Sequence, residues 1–219
     1  VRWLKKAAHR FAGSLGLSLT EKTPPESPVV DETLQVASLP QPHHAGRHFG
    51  NPRLLRARRP TGELVVVRVA LAVDPDDRLV SEITETGVID MIQVHGHETP
   101  SRGSEIQARS GLPVMKALRI GTAPDVAGAA HYDGVADRIL FDAKAPKDMV
   151  GRLPGGNGLR FDWRLMEGLA LQTPWMLSGG LDAENVAEAI RLTVATAVDT
   201  SSGVEDSPGV KNPEKIRAF

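Results

Sequence analysis

One carboxylate, Asp142, stands between an apolar stretch and a glycine-rich segment. Residues 138–141 (Arg-Ile-Leu-Phe) have the large and β-branched side chains that are typical of a buried parallel strand. Residues 154–158 (Pro-Gly-Gly-Asn-Gly) follow as a flexible loop. A strand that delivers a carboxylate to its C-terminal end, followed by a mobile loop, is how an α/β barrel presents its chemical groups. The alternative is structural: Asp142 caps a helix or pairs with Lys144.

Two further groups of small residues have the chemistry of a phosphate site. Gly179 and Gly180 follow an apolar stretch and precede a helical pattern, so their backbone N–H groups and the helix dipole favour an anion. Ser201, Ser202 and Gly203 follow the next apolar stretch and add N–H groups and hydroxyls. The alternative is two ordinary tight turns. Their position after two consecutive predicted strands favours phosphate, because the last two loops of a βα barrel often hold one.

Composition limits the possible partners. The chain has 219 residues with a net charge of −1, which suits one sizeable domain and lacks the basic excess that nucleic acid or a membrane surface attracts. It contains no cysteine, so disulfides and cysteine metal sites are excluded. No apolar run reaches the roughly 20 residues of a membrane span. We therefore expect a cytoplasmic protein that binds a small molecule and needs no cofactor.

A regular alternation of apolar and helical segments begins at residue 64. The predicted strands cover residues 64–73, 91–96, 113–118, 138–141, 175–180 and 197–203. The predicted helices cover residues 77–86, a stretch ending at 106, 124–132, a stretch beginning at the cap Asp162, 183–192 after the cap Asp182, and 212–219. Six βα units predict an α/β fold with a parallel sheet, either doubly wound or closed as a (β/α)8 barrel of the TIM type. Such a barrel is incomplete by two units.

Functional groups of a βα barrel gather at the carboxyl ends of its strands. The polar residues predicted to lie there are Asp74, Gln93, His95, Lys116, Asp142, Ser178, Asp199 and Thr200, with the glycine and serine groups described above.

The first 63 residues have a different texture. Residues 1–20 predict a basic amphipathic helix, for which we favour a surface or packing role over a targeting peptide. Residues 21–60 are rich in proline and polar side chains, which disfavours long regular elements. His43, His44 and His48 lie there without an acidic partner, so we favour a solvated loop and predict no metal site. We expect residues 1–63 to be an atypical segment and residues 64–219 to form the barrel domain.

Several motifs together resemble the phosphoribosylanthranilate isomerase family over roughly residues 66–219. They are residues 93–98 (Gln-Val-His-Gly-His-Glu), 141–144 (Phe-Asp-Ala-Lys), 154–158 with 161–163 (Phe-Asp-Trp), 177–181 with 184–186, and 198–205 with 208–211. The resemblance implies a (β/α)8 barrel and an intramolecular oxidoreductase, an aldose–ketose isomerase of tryptophan biosynthesis. Its reaction would be the Amadori rearrangement of N-(5-phosphoribosyl)anthranilate to 1-(2-carboxyphenylamino)-1-deoxyribulose 5-phosphate.

The resemblance also implies residue roles. Asp142 would be the general acid, and Gly179, Gly180, Ser201, Ser202 and Gly203 would hold the phosphate. The loop 154–158 would close over the anthranilate side of the substrate. Arg53, in the short stretch Asn-Pro-Arg, faintly resembles the arginine with which the family binds the anthranilate carboxylate.

One departure from the family affects the chemistry directly. The family takes its general base from a cysteine in a Lys-Ile-Cys-Gly type motif on the first strand, and this chain has no cysteine. The general base is therefore unknown, and residues 1–63 or a carboxylate elsewhere could supply it. The alternative function is a non-catalytic phosphate-binding remnant of the enzyme. A third reading is an unrelated barrel enzyme that acts on another phosphosugar.

Overall fold

The computed structural model describes the backbone of residues 36–38, 53–58, 64–144 and 160–219, and the side chains of residues 66–144 and 160–219. Most described strands join one seven-stranded sheet in chain order. They are β1 (Val36–Ser38), β2 (Arg53–Arg58), β3 (Leu64–Ala72), β4 (Met91–Val94), β5 (Val114–Ile120), β6 (Arg138–Ala143) and β7 (Trp175–Leu177). A separate two-stranded sheet contains β8 (Glu205–Ser207) and β9 (Val210–Lys211).

The sheet is parallel from β3 to β7. Leu177 of β7 forms one further parallel bridge, to Val198. The predicted sixth strand, 197–203, is thus reduced to a single bridging residue, because the chain turns into a 3₁₀ turn at Ser202–Val204. The prediction of an α/β fold of the TIM-barrel type, incomplete in its number of βα units, is confirmed.

The strands that precede residue 64 run in the opposite sense. β2 pairs antiparallel with β3, and β1 pairs antiparallel with β2. Residues 1–63 therefore contribute two strands to the sheet, although the proline content had disfavoured long regular elements there. An antiparallel pair needs no crossover helix, so these strands are not the two missing βα units.

Helices follow the parallel strands and cover one face of the sheet. They are α1 (Asp77–Glu85), α2 (Pro100–Ser110), α3 (Ala123–Ala127), α4 (Val186–Thr193) and α5 (Pro213–Ala218), with 3₁₀ turns at Gly128–Tyr132 and Trp163–Met166. Side-chain caps start the first two: Asp76 accepts the Leu79 N–H at 2.8 Å, and Thr99 accepts the Arg102 N–H at 3.2 Å. The helix predicted after Asp162 is only a 3₁₀ turn, which Asp162 caps through the Arg164 N–H at 3.1 Å.

Alternation of side chains defines two faces of the sheet. We call the face opposite the helices the inner face, and its buried apolar cluster consists of Val69, Met91, Met115, Ala117, Leu140, Met176 and Ala197. The outer face packs against the helices, for example Ala70, Ile92 and Val94 against Val80, Ile83 and Ile106. On the same outer face Phe141 meets Trp175 edge to face, with ring centroids 5.5 Å apart.

No described helix is both long enough and apolar enough to cross a membrane.

Candidate active site

Asp142 lies on the inner face near the carboxyl end of β6. It follows Leu140 of the inner cluster by two positions, and only 5% of its surface is exposed. Its Oδ1 accepts a hydrogen bond from the Ala143 N–H at 2.9 Å. Lys144 directs its ammonium group to Asp125, at 3.1 Å. A carboxyl group buried in this way is disfavoured as an anion, which suits an acid that must carry a proton.

His95 is the residue that the fold brings to Asp142. It follows β4 on the inner face, is 1% exposed, and its Nε2 lies 3.6 Å from Asp142 Oδ2. Its other ring nitrogen, Nδ1, lies 3.5 Å from the amide nitrogen of Gln93. The sequence placed Gln93 and His95 at a strand end, but it did not indicate that His95 contacts Asp142. The structure therefore places the His95 imidazole beside the Asp142 carboxyl group.

Arg119 is a residue of this edge that the sequence analysis missed. It is directly opposite Asp142 in the register of β5 and β6, it is half-buried, and its Nη2 donates to the His95 carbonyl oxygen at 2.8 Å. The predicted strand ended at residue 118, two positions before the end of β5 at Ile120. The alternation of Met115, Ala117 and Arg119 on one face was the signal that could have identified it.

The prediction that Lys116 is a functional group at the carboxyl end of its strand is wrong. β5 continues to Ile120, and Lys116 alternates onto the outer face between Met115 and Ala117 of the inner face. There its Nζ lies 2.7 Å from Glu98 Oε2, 2.9 Å from the Gly96 carbonyl oxygen and 5.6 Å from the centre of the Tyr132 ring. Lys116 thus contacts Glu98 and the turn after β4 from the outer face of the sheet.

Glu98 connects the turns after β3 and β4 to the middle of β5. Its side chain is 1% exposed and accepts the Asp74 N–H at 2.7 Å and the Gly96 N–H at 2.9 Å, in addition to the Lys116 ammonium. The Tyr132 hydroxyl donates to the Glu98 carbonyl oxygen at 2.8 Å. Sequence analysis quoted Glu98 in a motif without giving it a role. Its contacts fix the backbone directly after His95.

Asp74, also predicted at a strand end, is half exposed and faces the turn after β4. It has a positive φ of 45°. Burial acts to raise the pKa of Asp74, but hydrogen bonds from the backbone and ring of His97 outweigh it and lower the pKa. The backbone bond, His97 N–H to Asp74 Oδ1, is 2.6 Å long. Asp74 therefore shapes the turn as a carboxylate.

Gly179 and Gly180 both adopt backbone conformations that side chains disfavour. Their φ values are +95° and +64°, and a Cβ on Gly179 would lie 2.7 Å from the Ala143 nitrogen. The loop after β7 thus passes directly beside the end of the strand that carries Asp142. Asp182 accepts the N–H groups of Glu184 and Asn185 at 3.0 Å, so it caps the turn before α4, while Asn185 is the N-cap of the helix itself.

The two predicted phosphate loops touch each other. A Cβ on Gly203 would collide with the Leu181 carbonyl oxygen, which also accepts the Thr200 hydroxyl at 2.6 Å. Lys211 donates to the Ser201 carbonyl oxygen at 2.8 Å and to its hydroxyl oxygen at 3.2 Å, and it pairs with Glu205 at 2.7 Å. The structure therefore brings the glycine and serine groups together beside the Lys211 ammonium group.

A second buried carboxylate, Asp199, reaches the same edge. It is 2% exposed and its Oδ2 accepts the Ser178 hydroxyl at 3.0 Å. It follows Ala197 of the inner cluster by two positions, as Ser178 follows Met176. The polar inner-face residues at the carboxyl ends of the described strands are thus His95, Arg119, Asp142, Ser178 and Asp199.

Some predictions fall on residues that the structure does not describe. The loop 154–158 and the three histidines His43, His44 and His48 lie outside the described residues. Arg53 is described only by its backbone, which is opposite Val69 in the antiparallel pair. Within residues 66–144 and 160–219, no group of three or more histidine, aspartate or glutamate side chains is arranged to hold a metal ion.

Comparison with family models and with known sequences identifies one family. The sequence model described as N-(5'phosphoribosyl)anthranilate (PRA) isomerase matches residues 33–219, so the match begins well before residue 66. An N-(5'-phosphoribosyl)anthranilate isomerase of Parvibaculum lavamentivorans is 56% identical over 154 residues, 70% of this chain and 72% of that protein. The isomerase of Paracoccus denitrificans is 52% identical over 170 residues, 78% of this chain and 77% of that protein.

Solved structures agree with the sequence comparison. Phosphoribosyl anthranilate isomerase from Thermotoga maritima superposes with a TM-score of 0.58 at 30% identity, over 70% of each chain. A phosphoribosyl anthranilate isomerase in complex with reduced 1-(o-carboxyphenylamino)-1-deoxyribulose 5-phosphate superposes with a TM-score of 0.55 at 29% identity, over 70% of this chain and 69% of that chain.

Proposed function

Because the chain belongs to the N-(5'phosphoribosyl)anthranilate isomerase family, we propose that its own inner-face residues perform the Amadori rearrangement, with Asp142 as the general acid. The function of the family is the conversion of N-(5-phosphoribosyl)anthranilate to 1-(2-carboxyphenylamino)-1-deoxyribulose 5-phosphate in tryptophan biosynthesis. The observation that carries the proposal for this chain is the buried Asp142 beside His95, at 3.6 Å.

The reaction assigns two proton transfers. An acid protonates the ring oxygen of the furanose, and the bond between that oxygen and C1 breaks to leave an iminium group at C1. A base then removes the C2 proton, which gives an enol-amine. Return of a proton to C1, with loss of the proton of the C2 hydroxyl, gives the ketone at C2. The hydrogen lost at C2 is balanced by the one gained at C1, and the hydroxyl proton balances the one that the ring oxygen took from Asp142, so the reaction needs no cofactor. Asp142 supplies the first proton and becomes a carboxylate, which the released hydroxyl proton can restore to the acid.

The family motif does not identify the general base of this chain, because the chain has no cysteine. Among the described residues, Asp199 is the second buried carboxylate on the inner face at this edge. We therefore propose Asp199 as the general base. The alternative is a side chain from residues 1–63. General-base catalysis contributes about 10²–10⁴-fold, so a chain without a base would bind substrate but turn it over very slowly.

The substrate class is a phosphosugar, and its phosphate would bind at Gly179, Gly180, Ser201, Ser202 and Gly203. Support comes from the direct contact of the two loops at the Leu181 carbonyl oxygen. Further support comes from the solved relative that holds a phosphorylated ligand. The role of Arg53 at the anthranilate carboxylate, the closing of the loop 154–158 and a cytoplasmic location remain predictions.

The alternative function, a phosphate-binding remnant without catalysis, is favoured by the missing cysteine. Steady-state turnover of phosphoribosylanthranilate decides between the two, together with calorimetric titration of the reduced deoxyribulose phosphate ligand. Turnover that falls about 10²–10⁴-fold in Asp142→Asn supports the isomerase. Asp77→Asn is the control, because Asp77 pairs with Arg102 on the exposed surface, at 2.8 Å.

Other outcomes are also informative. Binding without turnover would identify the remnant, and absence of both would reject both functions. Turnover that Asp142→Asn leaves unchanged would favour a different barrel chemistry. Loss of turnover in Asp199→Asn with retained binding would assign the base to Asp199, whereas unchanged turnover would direct the search to residues 1–63.

A further inference from the structure

His95 lies between an amide and a carboxyl group on the inner face. The Gln93 amide nitrogen is 3.5 Å from His95 Nδ1, and His95 Nε2 is 3.6 Å from Asp142 Oδ2. Gln93 and His95 are each 1% exposed, and Asp142 is 5% exposed. Such a line of three buried polar groups restricts where the imidazole can carry its protons.

The amide determines the tautomer of the ring. Gln93 presents its NH₂ group to Nδ1, and an NH₂ group can only donate, so in this arrangement Nδ1 accepts and the imidazole proton lies on Nε2. Protonation of Nδ1 would place an N–H against an N–H inside the protein, where burial already disfavours a charge. The Nε2–H then faces Asp142.

The charged groups around His95 have opposing effects. Asp142 on β6 favours an imidazolium, while Arg119 on β5 opposes it, because its guanidinium donates to the His95 carbonyl oxygen at 2.8 Å. The inner face of β3 is apolar at Val69. Asp199 is engaged with Ser178, and Lys116 and Glu98 neutralise each other on the outer face. Gln93 therefore tips the balance toward the neutral ring.

We propose that Gln93 is a positioning residue that keeps His95 neutral with its proton on Nε2, so that the ring presents an N–H dipole to Asp142 instead of a positive charge. An imidazolium at this distance would hold Asp142 in its ionised form and leave it without a proton to donate. The consequence for Asp142 rests on the proposed function. The protonation state of His95 does not.

The test is nitrogen NMR of the full chain labelled in its histidines, recorded between about pH 5 and 8. The signals of His95 are assigned by their loss in His95→Asn. We expect His95 to remain neutral with a protonated Nε2 over this range, while His97, whose side chain is 87% exposed, titrates as an internal reference. A wild-type His95 that becomes doubly protonated within this range would overturn the proposal.

Two variants test the role of Gln93 itself. Gln93→Glu replaces the donor by an acceptor, so Nδ1 should become protonated throughout the range. Gln93→Met removes the donor with little change of volume and should let His95 titrate, which keeps the test valid if the glutamate variant does not fold. Gln172→Glu, at an exposed glutamine, is the matched control and should leave His95 unchanged. Unchanged His95 signals in both Gln93 variants would also overturn the proposal.

Activity provides the second reading. Where the wild type turns over substrate, Gln93→Glu should lower kcat by about tenfold or more with a smaller change in KM if its His95 is doubly protonated, because the imidazolium would hold Asp142 in its ionised form. Retained kcat in a variant whose His95 is doubly protonated would contradict the link to Asp142. A wild type without turnover would refute the proposed function, and the NMR result would still decide the state of His95.

Discussion

Two charged residues of β6 face the inside of the sheet four positions apart, Asp142 near one end and Arg138 at the other. Arg138 is 3% exposed, and its Nε has no hydrogen-bond partner among the described residues. Burial lowers the pKa of Arg138 to about 10, which still leaves the guanidinium charged at neutral pH. The buried charge therefore costs stability at the end of the strand that has no part in the proposed chemistry.

We expect Arg138→Met to stabilise the protein by about 1–2 kcal/mol, because an apolar side chain of similar length removes the desolvation cost. The folded pKa lies below the unfolded one, so the stability of the wild type would rise with pH only above about 10, and the gain from the substitution should be constant at lower pH. Urea unfolding at several pH values measures it. Arg164→Met, at a side chain that is 78% exposed, is the control, and a lower midpoint for Arg138→Met would refute the expectation.

Individual residues of the site were predictable where only the chain position mattered. Asp142 follows an apolar run, so its place at a strand end could be read directly. Lys116 was misplaced because β5 is buried on both faces, and such a strand does not reveal which side chains point inward. The contact of His95 with Asp142 depends on the register of three strands, which no local pattern contains.

At the scale of elements, Glu98 holds the turns after β3 and β4 against β5. Its carboxylate receives two backbone N–H groups and the Lys116 ammonium, all within 2.9 Å at the shortest contact of each. Because the side chains of Glu98 and Lys116 are almost fully buried, removal of either one would leave the charge of the other unpaired. The bond from the Gly96 N–H to Glu98 also holds the backbone directly after His95.

Loss of the Glu98 carboxylate should destabilise the protein more than loss of the Lys116 ammonium group. Glu98→Gln leaves the Lys116 ammonium buried beside a neutral amide, and we expect a loss of about 3–5 kcal/mol. Lys116→Met should cost less, because Glu98 keeps the N–H donors of Asp74 and Gly96. Urea unfolding compares them with Asp90→Asn, whose more exposed pair with Arg68 should contribute about 1 kcal/mol or less. Equal losses at both buried positions would show that the backbone contacts contribute nothing.

A second carboxylate joins elements chiefly through backbone N–H groups. Asp133, after the 3₁₀ turn Gly128–Tyr132, accepts the N–H groups of Thr173 at 2.7 Å and Gln172 at 3.1 Å, just before β7. These hydrogen bonds, that of Thr173 first, lower the pKa of Asp133. The carboxylate form therefore stabilises the start of β7 above the unfolded pKa, and this contribution is lost as the pH falls through the lowered folded value.

Asp133→Ala should accordingly destabilise the protein at neutral pH and progressively less in acid. We expect the difference in urea midpoint from the wild type to shrink as the pH is lowered from about 6 to about 3. Glu85→Ala, on the exposed side of α1, should show no such trend. A difference that stays constant with pH would mean that Asp133 acts through packing and not through its charge.

Elements were predictable where the pattern was long and local. The strands and helices from residue 64 to 132 follow their apolar runs closely. The prediction failed after Asp162, because Gly168 adopts a φ of +75° soon after the 3₁₀ turn and no helical stretch can continue through it. The predicted strand 197–203 shrank to one bridge because its serines and glycine enter a turn instead.

At the scale of the whole molecule, the unexpected feature is the antiparallel pair β1 and β2 along the edge of β3. The sequence of β2, Arg-Leu-Leu-Arg-Ala-Arg, lacks the long apolar run of a buried strand, so only its partner reveals it. An uncovered β3 would leave the backbone groups of its edge free to pair with other chains. The N-terminal segment thus covers the edge at which a closed barrel would place two further parallel strands.

Disrupting β2 should therefore expose β3 to self-association. Leu55→Pro, at the position paired with Val67, removes a backbone donor from the ladder and should produce larger species in light scattering. Leu55→Val, which keeps the donor and suits a strand, should behave like the wild type. A proline variant that stays monodisperse would show that pairing of β2 is not what keeps β3 from associating.

The contact between Phe141 and Trp175 gives the molecule an optical reporter. The indole of Trp175 packs on the residue directly before Asp142, so its emission depends on how β6 and β7 lie against each other. The chain has three tryptophans, and replacing Trp3 and Trp163 by phenylalanine would leave Trp175 as the single source of the signal. A ligand that shifts these two strands would then change the fluorescence, without any attached dye.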